Sequence, residues 1–263
     1  MPGIPSNDRP SWAPLVLDRQ EWRWEGTRLV QEHLAPSRPV QGDLLRRLLV
    51  SNLYATQNRS RAVKAALGNC LRALAPPEWG LNLGSGSTRI HPRVINLDIS
   101  DVPEVDIVAS GDRIPFHDES LALVVAQEVL EHTPDPFAVC AEVQRVLRRG
   151  GLFYLQVPFQ IGWHSGPKDY WRFSDDAIRE LLDGEGWNLL ELGYSLGYGS
   201  GFYRIAVEYA AITASLVARP LYLPAKAMAA LLFVPFRWVD GLTRFSPEGR
   251  RIAGGFFAVA SKR

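Results

Sequence analysis

Short apolar runs separated by turn residues dominate the middle of the chain. They fall at Leu81–Leu83, Val94–Leu97, Val105–Ala109, Leu121–Ala126 and Leu152–Val157. Runs of this kind, apolar at consecutive positions and not at alternate ones, suit strands of a parallel sheet covered on both faces. Between the fourth and fifth runs the period changes. Val139, Val143, Val146 and Leu147 follow helical spacing over Pro136–Arg148, and Gly150–Gly151 ends that pattern. Ser174 is a good N-cap for a helix through Asp183, with Asp175 and Asp176 in its first turn. Gly184 and Gly186 close that helix, Trp187–Tyr194 reads as a sixth strand, and Gly255–Ala260 as the last. The alternation predicts an α/β fold: an open parallel sheet with helices on both faces.

Two connections depart from that scheme. Gly84 to Arg93 is too short for a crossover helix and contains Pro92, which predicts a loop or a single turn. Ser195 to Ala253 is too long for a plain loop and must carry structure of its own. Upstream, residues 1 to about 40 are rich in Pro, Trp and charge, and Trp12, Trp22 and Trp24 either pack on a domain surface or lie in a mobile arm. From Gly42 to Ala75 the pattern is helical. Leu44, Leu45, Leu48 and Leu49 share one face, Ala62–Leu74 reads as a second helix, and Pro76–Pro77 stop it. The expected organisation is an N-terminal arm and helical extension (1–75), a core (76–204), a helical insertion (205–253) and a final core strand (254–263).

Composition narrows the function. A formal charge of +1 gives no steering toward nucleic acid. The two cysteines, Cys70 and Cys140, lie far apart and no Cys/His group has zinc-site spacing, so no metal is expected and a reduced compartment is. The N-terminal MPGIPSNDRPSW lacks the basic-then-apolar pattern of a secretory signal, which points to the cytoplasm.

The chemistry gathers where strands are expected to end. LNLGSGST (Leu81–Thr88) follows the first strand, and Gly84 and Gly86 let the backbone turn tightly beside a ligand. Asp98 ends the next strand, where a carboxylate can accept two ribose hydroxyls. A nicotinamide-dependent oxidoreductase on a similar sheet fits less well. The loop lacks the full G-x-G-x-x-G pattern, and Asp98 follows Gly86 by only 12 residues, against about 20 for dinucleotide folds. A non-catalytic nucleoside-binding protein stays open as a further alternative.

Two longer stretches follow, SGDRIPFHDESLALVVAQEVLEHTPDP (Ser110–Pro136) and RVLRRGGLFYLQVPF (Arg145–Phe159). Together with the glycine loop and strand-end acid, they resemble the type-11 domain of class I S-adenosylmethionine-dependent methyltransferases over roughly Gly80 to Pro158. The resemblance implies a Rossmann-like sheet and S-adenosyl-L-methionine as cofactor. It implies that Gly84, Ser85 and Gly86 pass the amino-acid part of the cofactor, that Asp98 binds ribose, and that Gln127 and Glu128 flank the methionine part. Ser110 or Asp112 would meet the adenine amine. Two positions depart from the family: Asn82 stands where an acid often holds the cofactor ammonium, and Thr88 replaces the loop's third glycine.

For the acceptor, the segment PFQIGWHSGPKDYWRFS (Pro158–Ser174) opens at the same edge. It resembles the H…P-x-DYWRF segment of type-11 relatives encoded among polysaccharide and lipopolysaccharide enzymes. Tyr170 and Trp171 can stack on a sugar or aromatic acceptor, Arg172 can orient an anion, and His164, with Asp169 close by, can take a hydroxyl proton. Alternatively the aromatics pack the loop onto the sheet and Arg172 pairs with an acid. Glu131 and His132 are candidate acid–base partners; alternatively His132 caps the turn after the fourth strand. The expected reaction is O-methylation of a small-molecule or glycan acceptor. Residues 205–242 are the most apolar part of the chain but are interrupted by Arg219, Pro220, Pro224 and Lys226. Two helices are expected there, serving as a lid, a homodimer interface or a peripheral membrane contact.

Overall fold

The computed structural model describes residues 9–18, 21–34, 60–164, 166–184 and 186–263. The helical face of Leu44, Leu45, Leu48 and Leu49 lies outside them.

The chain between Gly80 and Pro158 builds the parallel half of the sheet. Strands β3 (Gly80–Leu83), β4 (Val94–Asp98), β5 (Ile107–Val108), β6 (Leu121–Gln127) and β7 (Leu147–Pro158) lie in the order β5-β4-β3-β6-β7, all parallel. Their residues are buried almost without break, as runs covered on both faces require. One face packs on helices α2 (Pro136–Val146) and α3 (Asp175–Leu182), through Val139, Val143, Ile178 and Leu182. The other receives α1 (Arg61–Ala73), whose Val63, Ala66 and Cys70 meet Val125, Tyr154 and Phe257. Cys70 and Cys140 are free and buried.

Local signals act as their chemistry dictates. Ser60 and Ser174 cap α1 and α3, each accepting an N–H three residues on. Gly84 to Arg93 forms no helix. The helix before β7 ends earlier than Gly150. Leu147 already pairs with Leu121, and the RRGG stretch bulges before pairing resumes at Leu123–Leu152, with Gly150 at φ +71°.

The sheet is mixed, not wholly parallel. β8 (Trp187–Leu196) and β9 (Gly255–Lys262) complete it in the order β7-β9-β8, and β9 runs antiparallel to both neighbours. The cause is where the chain returns. β8 ends at Leu196, which pairs with Gly255 at the start of β9, so the excursion between them leaves and rejoins the sheet at one edge. That excursion holds α4 (Tyr198–Ser215), α5 (Tyr222–Phe233) and 3-10 turns over Val234–Phe245. Pro224 sits in the first turn of α5, where its missing N–H costs nothing. At the far edge an antiparallel hairpin, β1 (Trp22–Glu25) and β2 (Arg28–Gln31), extends the sheet by pairing β2 with β5. Trp12 is buried against Trp24 and Phe116, so this N-terminal part packs on the domain.

Register places the site. Leu83 is level with both Leu97 and Ala126, and Gln127 with Gln156. The carboxyl ends of four parallel strands therefore align, and the loops after them open together, the usual ligand edge of such a sheet. The α4–α5 excursion departs from the same edge, since Gly255 also pairs with Pro158.

Candidate active site

The loop after β3 is held from several sides. Gly84 has φ +65°, and a β-carbon there would come within 2.4 Å of Val129 Cγ2. Gly86 has φ +51° with open space around it, and its N–H donates to Asp98 Oδ2 at 2.8 Å. Ser100 N–H donates to the other carboxylate oxygen at 2.7 Å. Ser85 is buried, with its N–H on Leu97 O. The Asn82 amide turns to the loop: Asn82 Nδ2 and Asn96 Nδ2 both donate to Thr88 O, at 3.1 and 3.3 Å.

These residues border a cavity of about 340 Å³, lined among others by Gly84, Asp98, Ser110, Asp112, Glu128 and His132. Its Ser110–Asp112 wall is braced at both ends. Ser110 N–H donates to Gln31 Oε1 of β2 at 3.0 Å. Beyond it, Ile114 N–H donates to Glu142, and Arg145 reaches Glu142, Asp118 and the carbonyls of Ile114 and Phe116. Burial opposes ionisation of Glu142. The hydrogen bonds from Arg145 and Ile114 outweigh it and hold the carboxyl below its ordinary value.

Past β6 the backbone is strained. Glu128 has φ +58°, a left-handed conformation uncommon for a residue with a side chain. Two amides, the buried Gln156 and the half-buried Gln127, tie it to the sheet: Gln127 Nε2 donates to Gln156 Oε1 and Gln156 Nε2 to Glu128 Oε1, both at 3.3 Å. Gln127 is thus turned to Gln156. Burial, with the Glu131 charge adding to it, raises the Glu128 pKa.

The DYWRF segment docks on this turn. Glu131 O accepts from the N–H groups of Tyr170 and Trp171, at 2.7 and 3.2 Å, and Trp171 Nε1 donates to Thr133 O. Asp169 is bound by both Arg172 guanidinium nitrogens and by His164 N–H. Desolvation works against its ionised form, but these donors hold its pKa down to about 2. Arg172 is therefore committed to Asp169, while the Tyr170 and Trp171 rings keep an exposed face. His132 Nδ1 meets Lys168 O, and His164 stands edge-on to His132 with ring centroids 4.9 Å apart. Of the residues singled out in the sequence, the structure gathers Gly84, Asp98, Ser110, Asp112, Glu128 and His132 around the cavity. Asn82, Ser85, Gly86 and Gln127 are not among the residues that line it, and the His164–Arg172 group adjoins it through His132.

Residues 83–155 match the model of a methyltransferase domain family. This segment, from the end of β3 into β7, is similar to a methyltransferase domain. Over 58 residues it is 40% identical to an uncharacterized methyltransferase of Mycobacterium avium (strain 104), covering 22% of this chain and 23% of that protein. Over 64 residues it is 34% identical to one of Mycobacterium tuberculosis (strain ATCC 25177 / H37Ra), covering 24% and 25%. The matched segment thus spans about a quarter of the length of these curated relatives. Among solved structures, the chain is similar to geranyl diphosphate C-methyltransferase from Streptomyces coelicolor A3(2), in complex with Mg2+, geranyl diphosphate and S-adenosyl-L-homocysteine. Identity is 13%, coverage 77% and 78%, and the TM-score 0.45. A phosphoethanolamine N-methyltransferase of Haemonchus contortus aligns at 13% identity, with coverage of 82% and 56% and a TM-score of 0.44.

The site owes two features to residues that the sequence did not single out as site residues. Gln156 joins Gln127 to Glu128, and its signal is a polar residue inside the buried run Leu152–Val157. Gln31 braces the cavity wall from a hairpin with no recognisable local motif. Glu131, which the sequence offered with His132 as an acid–base partner, is fully buried.

Proposed function

We propose that this chain transfers a methyl group from S-adenosyl-L-methionine to an oxygen of a small-molecule or glycan acceptor. The observation that carries the reading is Asp98. Its carboxylate reaches the cavity from a strand end and is oriented by the Gly86 and Ser100 N–H groups. Each oxygen keeps a lone pair for a ribose hydroxyl. The cavity falls in the size range of small-ligand sites and is open, as a non-catalytic relic with a blocked cleft would not be.

The residues present fit the cofactor. Gly84 lines the cavity, and Ser110 and Asp112 stand on the wall where an adenine amine would find acceptors. Glu128 borders the end nearest His132, where the methionine part would lie. The cofactor supplies a methyl group already activated by its sulfonium. The chain must place an acceptor oxygen in line and receive its proton. That proton has a destination in the Glu131, His132 and His164 cluster, and the exposed rings of Tyr170 and Trp171 offer a stacking surface beside it. Transfer of labelled methyl from S-adenosylmethionine to a panel of nucleotide-linked, lipid-linked and free sugars tests the acceptor class. Labelling confined to amine or carboxylate acceptors would contradict it.

The same reading extends to a membrane surface. Helices α4 and α5 bury Tyr203, Val207, Ala229 and Ala230 against each other. Their outer faces and the following turn leave Leu216, Val217, Met228, Leu231, Leu232 and Trp238 between 68% and 83% exposed. So much exposed apolar surface marks a contact site. By sequence the segment carries more basic than acidic residues, and Arg219 is exposed between the two helices, which suits anionic headgroups. No helix among the described residues is long and apolar enough to cross a membrane. A lipid-linked acceptor would then meet the site from the edge at which these helices leave the sheet.

A further inference from the structure

Glu131 is the least satisfied side chain in the site. It has no exposed surface, and neither carboxylate oxygen has a hydrogen-bond partner among the described residues. A buried carboxylate without donors is costly, and such groups are retained when something else compensates the charge.

Two imidazoles converge on it. His132 Nε2 lies 3.6 Å from Glu131 Oε1, and His164 Nε2 lies 3.7 Å from the same atom. The opposite ring nitrogens face outward. His132 Nδ1 meets the Lys168 carbonyl, which can only accept, so Nδ1 carries the hydrogen. His164 Nδ1 faces Gly162 O at 3.4 Å and Asp169 Oδ2 at 3.7 Å, with Arg172 Nη2 at 3.5 Å. The two oxygens favour an N–H there as well. Both neutral rings would then turn an Nε2 lone pair toward a carboxylate oxygen. Three electron-rich atoms with nothing positive between them repel one another, and a cation removes the repulsion.

The geometry points to a site for one divalent transition-metal ion, held by Glu131 and by the Nε2 atoms of His132 and His164. The three ligand atoms lie within 4.8 Å of one another. Ligands about 2.1 Å from a tetrahedral ion stand roughly 3.4 Å apart, so a few tenths of an ångström close the Glu131 contacts. Two imidazoles and a carboxylate suit zinc, iron(II) or manganese better than calcium or magnesium. The Nδ1 contacts to Lys168 O and to the Asp169–Gly162 side are the outer-shell bonds that fix ring orientation in metal sites. Sequence spacing conceals the site, because His164 comes from the loop after β7 and the other two from the turn after β6.

Any catalytic use of the ion rests on the methyl-transfer reading. His132 also borders the cavity, so an acceptor hydroxyl reaching the ion would be acidified, its proton passing to solvent water because the three side chains, once on the ion, no longer receive it. The binding claim stands without that reading, and its test is separate. Chelator-treated protein is titrated calorimetrically with Zn2+, and cobalt(II) loading is followed by visible absorption. One ion per chain is expected, with at least a tenfold loss of affinity in both Glu131→Gln and His164→Ala. His164→Ala should keep the parent's Tm and far-ultraviolet circular dichroism as proof of an intact fold. Absence of Zn2+ binding by the parent, or binding unchanged in both variants, overturns the site. Metal binding without S-adenosylhomocysteine binding would leave the site standing and remove the proposed function; the reverse would do the opposite.

Discussion

Gly86 and Asp98 meet across the ends of neighbouring strands, the glycine N–H donating to the carboxylate at 2.8 Å. The bond makes the loop after β3 and the acid at the end of β4 one unit. The carboxylate is oriented by backbone before any ligand arrives, so little ordering remains to be done on binding.

Gly84 fixes the other side of that loop. An alanine there would adopt a left-handed conformation at about 1–2 kcal/mol. It would also press on Val129, where overpacking costs roughly 1–3 kcal/mol. Gly84→Ala should therefore lower Tm and weaken S-adenosylhomocysteine binding. Adding Val129→Ala should recover the packing part only. Unchanged Tm and affinity in Gly84→Ala would mean that the loop is not held as described.

The Ser110–Asp112 wall depends on Glu142 and Arg145. Replacing Glu142 by Gln should cost roughly 1–2 kcal/mol at neutral pH. The folded carboxyl titrates below its unfolded value, so its contribution is present above the ordinary carboxylate range and is lost as pH falls through the folded value. Denaturation curves of parent and Glu142→Gln should thus differ at pH 7 and converge in acid. A gap that stays constant down to pH 3 would assign the effect to shape and not to charge.

For the α4–α5 surface, the parent should sediment with vesicles containing anionic lipid and much less with neutral ones. The pair Leu216→Glu and Leu232→Glu, both on exposed faces, should abolish sedimentation without lowering Tm. Loss of a dimer in sedimentation analysis, with vesicle binding absent in the parent, would assign the face to a second copy of the chain instead.

Much of the fold was legible because the parallel strands are buried on both faces and so read as unbroken apolar runs. β3, β4 and β6 lie within a residue of their sequence limits. The direction of β9 was not legible. Gly255–Ala260 looks the same whichever way it runs, and only the return point of the α4–α5 excursion decides it. In the site, Asp98 and Gly84 were readable because each needs a special residue at a strand end. Pairing of Arg172 with Asp169 was one of two open readings, since a sequence shows a charge but not its partner. The isolation of Glu131 could not be read at all. Its surroundings come from segments far apart in the chain, as the Tyr170 and Trp171 N–H groups on its carbonyl show.

The central claim is tested most directly by calorimetric titration with S-adenosylhomocysteine of the parent and of Asp98→Ala. Saturable binding to the parent is expected, with at least a tenfold loss in the variant, or about 1.4 kcal/mol. No binding to the parent, or equal binding to both, would contradict the account.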